Sequence, residues 1–231
     1  MIRGFGASKM GMSVEQSRTD VLANNMANIN TPGFKKSMAV SAEFEAMLIQ
    51  RMGDSTDQRA ATLGLLGNGA TLDQVLPVDL QGDLQETGRA LDFAIEGPGR
   101  FMAQGPNGVI TTRNGAFRQT EDGTLVTAEG YPVVVRNQGG ELSIFQQPGG
   151  AVEVQADGTL LAGGQVVGRL EMEGVTAETK IHSGKLEASN VELAKEMTDL
   201  IVALRSFQVN QRALQMQDQT LGKAVTEIGK I

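Results

Sequence analysis

The chain has 231 residues, 40% hydrophobic and 20% charged, enough for one large domain or two or three small ones; its net charge of -7, with Lys and Arg nowhere concentrated, disfavours a nucleic-acid groove and acidic partners. Cysteine is absent, so disulfides, thiolate metal sites and a cysteine nucleophile are excluded. No run approaches the roughly 18 apolar residues of a membrane span, and residues 1–12 lack a signal-peptide core, so delivery by a route other than general secretion is expected.

From Met1 to Ile29, alternating steps of four and three touch Met1, Phe5, Ser8, Met12, Glu15, Thr19, Leu22, Met26 and Ile29. This interrupted apolar seam predicts an amphipathic helix over about residues 3–29 that needs a partner. The run Asn28-Ile29-Asn30-Thr31-Pro32-Gly33-Phe34 ends it, because Asn and Gly accept turn conformations and the proline disfavours helix at Thr31. In residues 36–80 a short helix is expected over 42–52, with Phe44, Met47 and Leu48 on one side. Gly53 to Gly69 is polar and glycine-bearing and reads as an irregular loop.

Between Leu91 and Met172 short apolar runs alternate with turn signals such as Gly97-Pro98-Gly99, Pro106-Asn107-Gly108, Asp122-Gly123 and Asp157-Gly158. That pattern predicts an antiparallel β domain of short strands. The strings Asp122-Gly123-Thr124-Leu125 and Asp157-Gly158-Thr159-Leu160 hint at an internal repeat.

The C-terminal stretch carries the strongest pattern. Leu193, Met197, Leu200, Leu204, Phe207, Gln211, Leu214, Asp218, Leu221, Val225 and Ile228 form a coiled-coil seam broken only by Gln211 and Asp218. Ser189 and Glu192 have capping-box spacing, which predicts a helix of about 58 Å from Ser189 to Ile228 at about 1.5 Å per residue. Between Leu200 and Gly222 its only charges are Arg205, Arg212 and Asp218. So bare a surface fits either a helix buried in a large monomeric core or one packed on several sides by copies of itself.

Catalytic chemistry finds little support. His182 is the only histidine, so a His-based metal site or a Ser-His-Asp triad would rest on it alone. The glycine spacings Gly64, Gly67, Gly69 and Gly4, Gly6, Gly11 do not fit a phosphate loop. Asp92 and Glu96 are the one carboxylate pair worth naming for acid–base work on a glycan, and Asp92 reads better as a turn residue. No catalytic residue, metal or cofactor is expected.

Four blocks identify a family. Leu22 to Lys35, containing Asn24, Asn25, Asn28, Thr31, Gly33, Phe34 and Lys35, resembles the Asn-rich helix-to-turn signature of the bacterial flagellar rod and hook proteins. Gln81 to Gly97 is similar to that family's central block, and Thr112 to Phe117 with Asp122 to Thr127 to the strand pattern after it. Leu186 to Val191 is similar to the lead-in to its C-terminal helix. Motif order, length and the opening Met1-Ile2-Arg3 are most similar to the distal rod type, with the proximal rod type next and hook proteins further off.

The resemblance implies an α+β fold. Its terminal helical core would span 1–34 and 186–231, with a connecting segment over 35–80 that touches neighbouring subunits and an antiparallel β domain over 81–185. It implies a structural, self-assembling subunit of the basal-body rod, with rod and hook proteins and the flagellar export apparatus as partners and a place outside the cytoplasmic membrane. The assembly seam would then be Phe5, Met12, Leu22, Met26, Leu193, Met197, Leu200, Leu204, Phe207, Leu214, Leu221, Val225 and Ile228. The reading from another class is a closed-oligomer binding module held by the coiled coil.

Overall fold

The computed structural model describes residues 2–43, 47–51, 61–66, 69–137, 139–146, 152–155, 157–162 and 164–228. The fold is α+β, and the chain divides into two compact units, each built from separated stretches.

The first unit takes residues 1–26, 37–78 and 192–231. It holds helix α1 (Ile2–Ala27), strands β1 (Ser37–Glu43), β2 (Met47–Arg51), β3 (Ala61–Leu66) and β4 (Ala70–Pro77), and the long helix α2 (Leu193–Ile228). β1 pairs antiparallel with β4, from Ser37 opposite Pro77 to Glu43 opposite Ala70 with a bulge at Val40/Ser41, and β2 pairs with β3. Over 42–43 and 47–51 strand takes the place of the short helix expected over 42–52, because ladder hydrogen bonds to β4 and β3 outweigh a local apolar spacing. Phe44 lies outside the described residues, as do 52–60 and 67–68 of the expected loop, whose stretch 61–66 is strand.

α1 and α2 run antiparallel. A Cβ on Gly4 would meet the Gln217 side chain at 2.8 Å and one on Gly11 the Asn210 side chain at 2.9 Å, while Asn25 bonds Glu196. As numbers rise along one helix, partners fall along the other. Glycine costs about 1 kcal/mol relative to alanine inside a helix. Here it lets the amide side chains of α2 lie against the α1 backbone.

The second unit takes residues 27–36 and 79–191. Its strands are β5 (Leu84–Glu86), β6 (Phe93–Glu96), β7 (Arg100–Gly105), β8 (Gly108–Thr112), β9 (Arg118–Gln119), β10 (Leu125–Val126), β11 (Val134–Asn137), β12 (Leu142–Ile144), β13 (Val152–Val154), β14 (Thr159–Ala162), β15 (Gln165–Leu170), β16 (Met172–Glu173), β17 (Lys180–Ser183) and β18 (Lys185–Glu187). The short apolar runs between the turns of this stretch, Phe93–Ile95, Phe101–Ala103, Val109–Thr112, Leu125–Thr127, Val133–Arg136, Leu142–Phe145, Val152–Val154, Leu160–Leu161 and Val166–Met172, each lie in or overlap one of them. Five strands form an antiparallel sheet in the order β12-β11-β15-β14-β13, and β16-β7-β8 form another; β17 pairs β6, β18 pairs β5 and β10 pairs β9.

The core of this unit is built around Phe93, Phe101, Phe117, Phe145, Leu125 and Leu160. Phe117 is central, 5.7 Å from the Phe93 ring and 5.1 Å edge-on from that of Phe101, favourable aromatic geometries. The two Asp-Gly-Thr-Leu strings fold alike. In one, Thr120 N–H donates to Thr124 O and Gly123 N–H to Thr120 O; in the other, Gln155 N–H donates to Thr159 O and Gly158 N–H to Gln155 O, all at 2.9 Å. Each turn delivers its leucine, Leu125 or Leu160, fully buried into the core.

Candidate functional site

The family turn closes on a buried ionic cluster. Glu187, on β18, is wholly inaccessible at its side chain. Its Oε1 accepts from Lys35 Nζ at 2.5 Å and from Gly82 N–H at 2.9 Å, and its Oε2 from Arg113 Nη1 at 3.0 Å. Lys35 also donates to Leu80 O at 2.6 Å, and Arg113 to Ile95 O at 3.2 Å and Gly97 O at 2.5 Å. A buried carboxylate is tolerated only when paired and fully hydrogen-bonded, and both conditions hold here.

Backbone contacts complete the clasp. Gly33 N–H donates to Glu187 O at 2.7 Å, Asn190 N–H to Phe34 O at 3.4 Å, Lys36 N–H to Asn190 Oδ1 at 2.7 Å and Asn190 Nδ2 to Leu80 O at 3.0 Å. Gly33 sits at φ 68°, where a Cβ would be 2.3 Å from the Arg113 carbonyl carbon; a Cβ on Gly82 would be 2.0 Å from Ala188 O. Both glycines are required by close approach of backbone to backbone. Asn28 Oδ1 accepts from Thr31 Oγ1 at 3.2 Å inside the turn, and Thr31 N–H donates to Asn28 O at 3.1 Å, so α1 stops at Ala27, two residues short of the expected end.

The expected capping box at Ser189 does not form. Residues 188–190 are held by Asp83 O, Phe34 O and Leu80 O, Ser189 Oγ accepts from Val191 N–H at 3.3 Å, and α2 starts only at Leu193.

In the first unit Asn25, almost fully buried, accepts from Ser37 N–H at 2.9 Å and donates to Ser37 O at 2.8 Å and Glu196 Oε2 at 3.1 Å. Its amide thus imitates a strand partner at the start of β1 while gripping α2. Asn24 lies on the exposed side of α1.

The structure divides the α2 seam. Leu200, Phe207, Leu214 and Leu221 are half-buried, whereas Leu193, Met197, Leu204 and Val225 are exposed; the Ile228 side chain lies outside the described residues. On α1, Leu22 is buried, Met12 and Met26 half-buried and Phe5 exposed. The line of α2 that faces α1 is Glu196, Ala203, Asn210 and Gln217, seven apart, small or polar at every step. Glu187, Arg113 and Asn190 have no role that the sequence alone assigns, and Glu196, expected only as an early-turn acid favoured by the helix dipole, instead meets Asn25.

Asp92 and Glu96 do not act together. Asp92 is buried beside Arg89 at 3.5 Å and its carbonyl accepts from Gly184 N–H, while Glu96 pairs with His182 Nε2 at 2.7 Å on the surface. The hydrogen bond from His182 holds the Glu96 carboxyl below its usual range. Among the described residues no group of three acidic, His or Cys side chains could hold a metal ion, and no helix is long and apolar enough to cross a membrane.

Comparison with known proteins yields three family matches. Residues 8–35 match the family described as flagella basal body rod protein, 94–162 the D1 domain of the flagellar hook protein FlgE/F/G, and 182–227 the C-terminal region of the flagellar basal body rod FlgEFG proteins. The flagellar basal-body rod protein FlgG of Bacillus subtilis is 32% identical, across 97% of this chain and 98% of its own. FlgG of Borreliella burgdorferi is 31% identical with the same coverage. FlgF of Mesorhizobium japonicum is 29% identical over 94% of each chain. The first match ends on Lys35 of the clasp, and the last takes in Glu187 and Asn190.

Proposed function

The chain belongs to the flagellar basal-body rod family, and from that premise we propose that it packs with copies of itself through α2 into a helical tube that carries torque in the flagellar axis. It is a structural subunit of the rod, of the distal type. In the proposed tube the terminal helices of many copies make a coiled-coil layer. Other rod and hook proteins are its axial neighbours. The export apparatus is its partner during delivery, and its working place is the basal body beyond the cytoplasmic membrane.

The observation that carries this reading is the state of α2. At about 1.5 Å per residue its 36 residues span about 54 Å. Along that length Met197, Ile201, Val202, Leu204, Val209 and Met216 are all exposed. An exposed apolar surface on a long helix marks an interface. The test is electron microscopy of the purified protein as its concentration is raised. Open-ended helical particles are expected for the natural sequence and none for Leu204→Asp. Discrete closed oligomers under every condition would favour the binding-module reading instead.

A further inference from the structure

α2 presents two unlike exposed faces, and resting on the assembly reading we infer that one face of each copy docks on the other face of the next. Successive residues turn by about 100°, so positions seven apart nearly align and α2 divides into three strips. One strip, through Ala203, Asn210 and Gln217, is taken by α1. The second holds Met197, Ile201, Leu204, Gln208, Gln211 and Gln215. The third holds Val202, Arg205, Val209, Arg212 and Met216. All the residues named on the second and third strips are exposed, Leu204 by 44%, Val209 by 64% and Met216 by 62%.

The chemistry of the two open strips is complementary. The third alternates apolar residues with Arg205 and Arg212 and carries no acid. Glu15 of α1 joins Val202, Arg205 and Val209 in lining a groove of about 450 Å³. Its Oε2 is buried there with no hydrogen-bond partner, an acceptor that costs free energy until a donor arrives. The second strip supplies what this groove lacks. Leu204 and Ile201 match its apolar wall, the amides of Gln208, Gln211 and Gln215 are N–H donors, and Asp218, seven residues beyond Gln211 on the same line, is the acid this strip offers to the arginines of a neighbour. Two third strips brought together would set arginine against arginine; two second strips would leave Glu15 and both arginines unanswered.

The occupant of the groove is therefore the second strip of another copy's α2. Such a contact is heterologous: each copy offers one face and receives on another, so growth does not terminate at a dimer.

The natural absence of cysteine makes the test clean. Leu204→Cys is mixed in turn with Val202→Cys, Val209→Cys and Met216→Cys at assembling concentration and oxidised. The three positions step by about 10 Å, so one falls within disulfide reach over a range of staggers. Circular dichroism of each variant, all at exposed positions, verifies that α2 is intact. The expected result is a cross-linked heterodimer from at least one mixture, no dimer from any variant alone, and a ladder of covalent oligomers when the productive pair sits in one chain. A dimer from Leu204→Cys or Val209→Cys alone, or particles that form normally yet cross-link in none of the mixtures, overturns the face assignment and leaves the rod reading standing. Failure of the unmodified protein to form open particles at any concentration removes both.

Discussion

Replacing Glu187 with Gln leaves the Lys35 and Arg113 charges buried without a counter-charge, while Lys35→Met leaves the carboxylate one donor short. Breaking one partner of a buried ion pair costs about 3–5 kcal/mol, and a loss in that range is expected for Glu187→Gln in denaturant unfolding of the unit formed by residues 27–36 and 79–191, with a smaller loss for Lys35→Met. A double variant that costs the sum of the two singles would show that the groups are not coupled. At the surface the His182–Glu96 pair is a milder case. Because the Glu96 carboxyl titrates below its ordinary range in the folded chain, its contribution is present above the ordinary glutamate pKa and fades as pH falls through the lowered one. His182→Ala should return Glu96 to the ordinary range, read from its side-chain carbon shift against pH.

α1 and α2 show how an element's partner can differ from what its apolar spacing suggests. Asn25→Ala should destabilise the first unit by about 1–3 kcal/mol, because the Ser37 N–H and O and a Glu196 oxygen lose their partner; unchanged helix melting would contradict that. Leu204→Asp, by contrast, should leave the monomer within about 0.5 kcal/mol of the natural chain, since its side chain is exposed there, and should act only on association. The strands between Phe93 and Met172 were legible in the sequence because glycine turns punctuate the short apolar runs there, and the two Asp-Gly-Thr-Leu turns proved equivalent; β1 to β4, β5, β17 and β18 carry no such punctuated pattern. The residues of α2 that meet α1 were not legible. Periodicity locates apolar side chains, whereas α1 brings Gly4 and Gly11 to the contact and so selects Asn210 and Gln217, which no count of leucines would nominate. The short helix over 42–52 failed for a related reason: its fate was decided by β3 and β4, whose pairing leaves no local signal. Nothing near Glu187 in the sequence accounts for its charge, because both its cationic partners lie far away in the chain.

The unit built on residues 79–191 is discontinuous, completed by residues 27–36. Limited proteolysis should therefore yield a protected core that keeps both stretches, and a fragment of residues 79–191 alone should unfold at lower denaturant than the same fragment supplied with residues 27–36 as a peptide; equal midpoints would show that the turn adds nothing. Lys35 and Glu187 are separated by 152 residues. Closing so long a loop precedes any reward from the contact, and such non-local contacts slow folding. A chain made from its N-terminus cannot satisfy Lys35 and Arg113 until more than four-fifths of it has been synthesised. A product cut short before β18 keeps Lys35 and Arg113 but lacks the carboxylate that both of them meet, and in limited proteolysis it is expected to be degraded where the complete chain leaves a protected core.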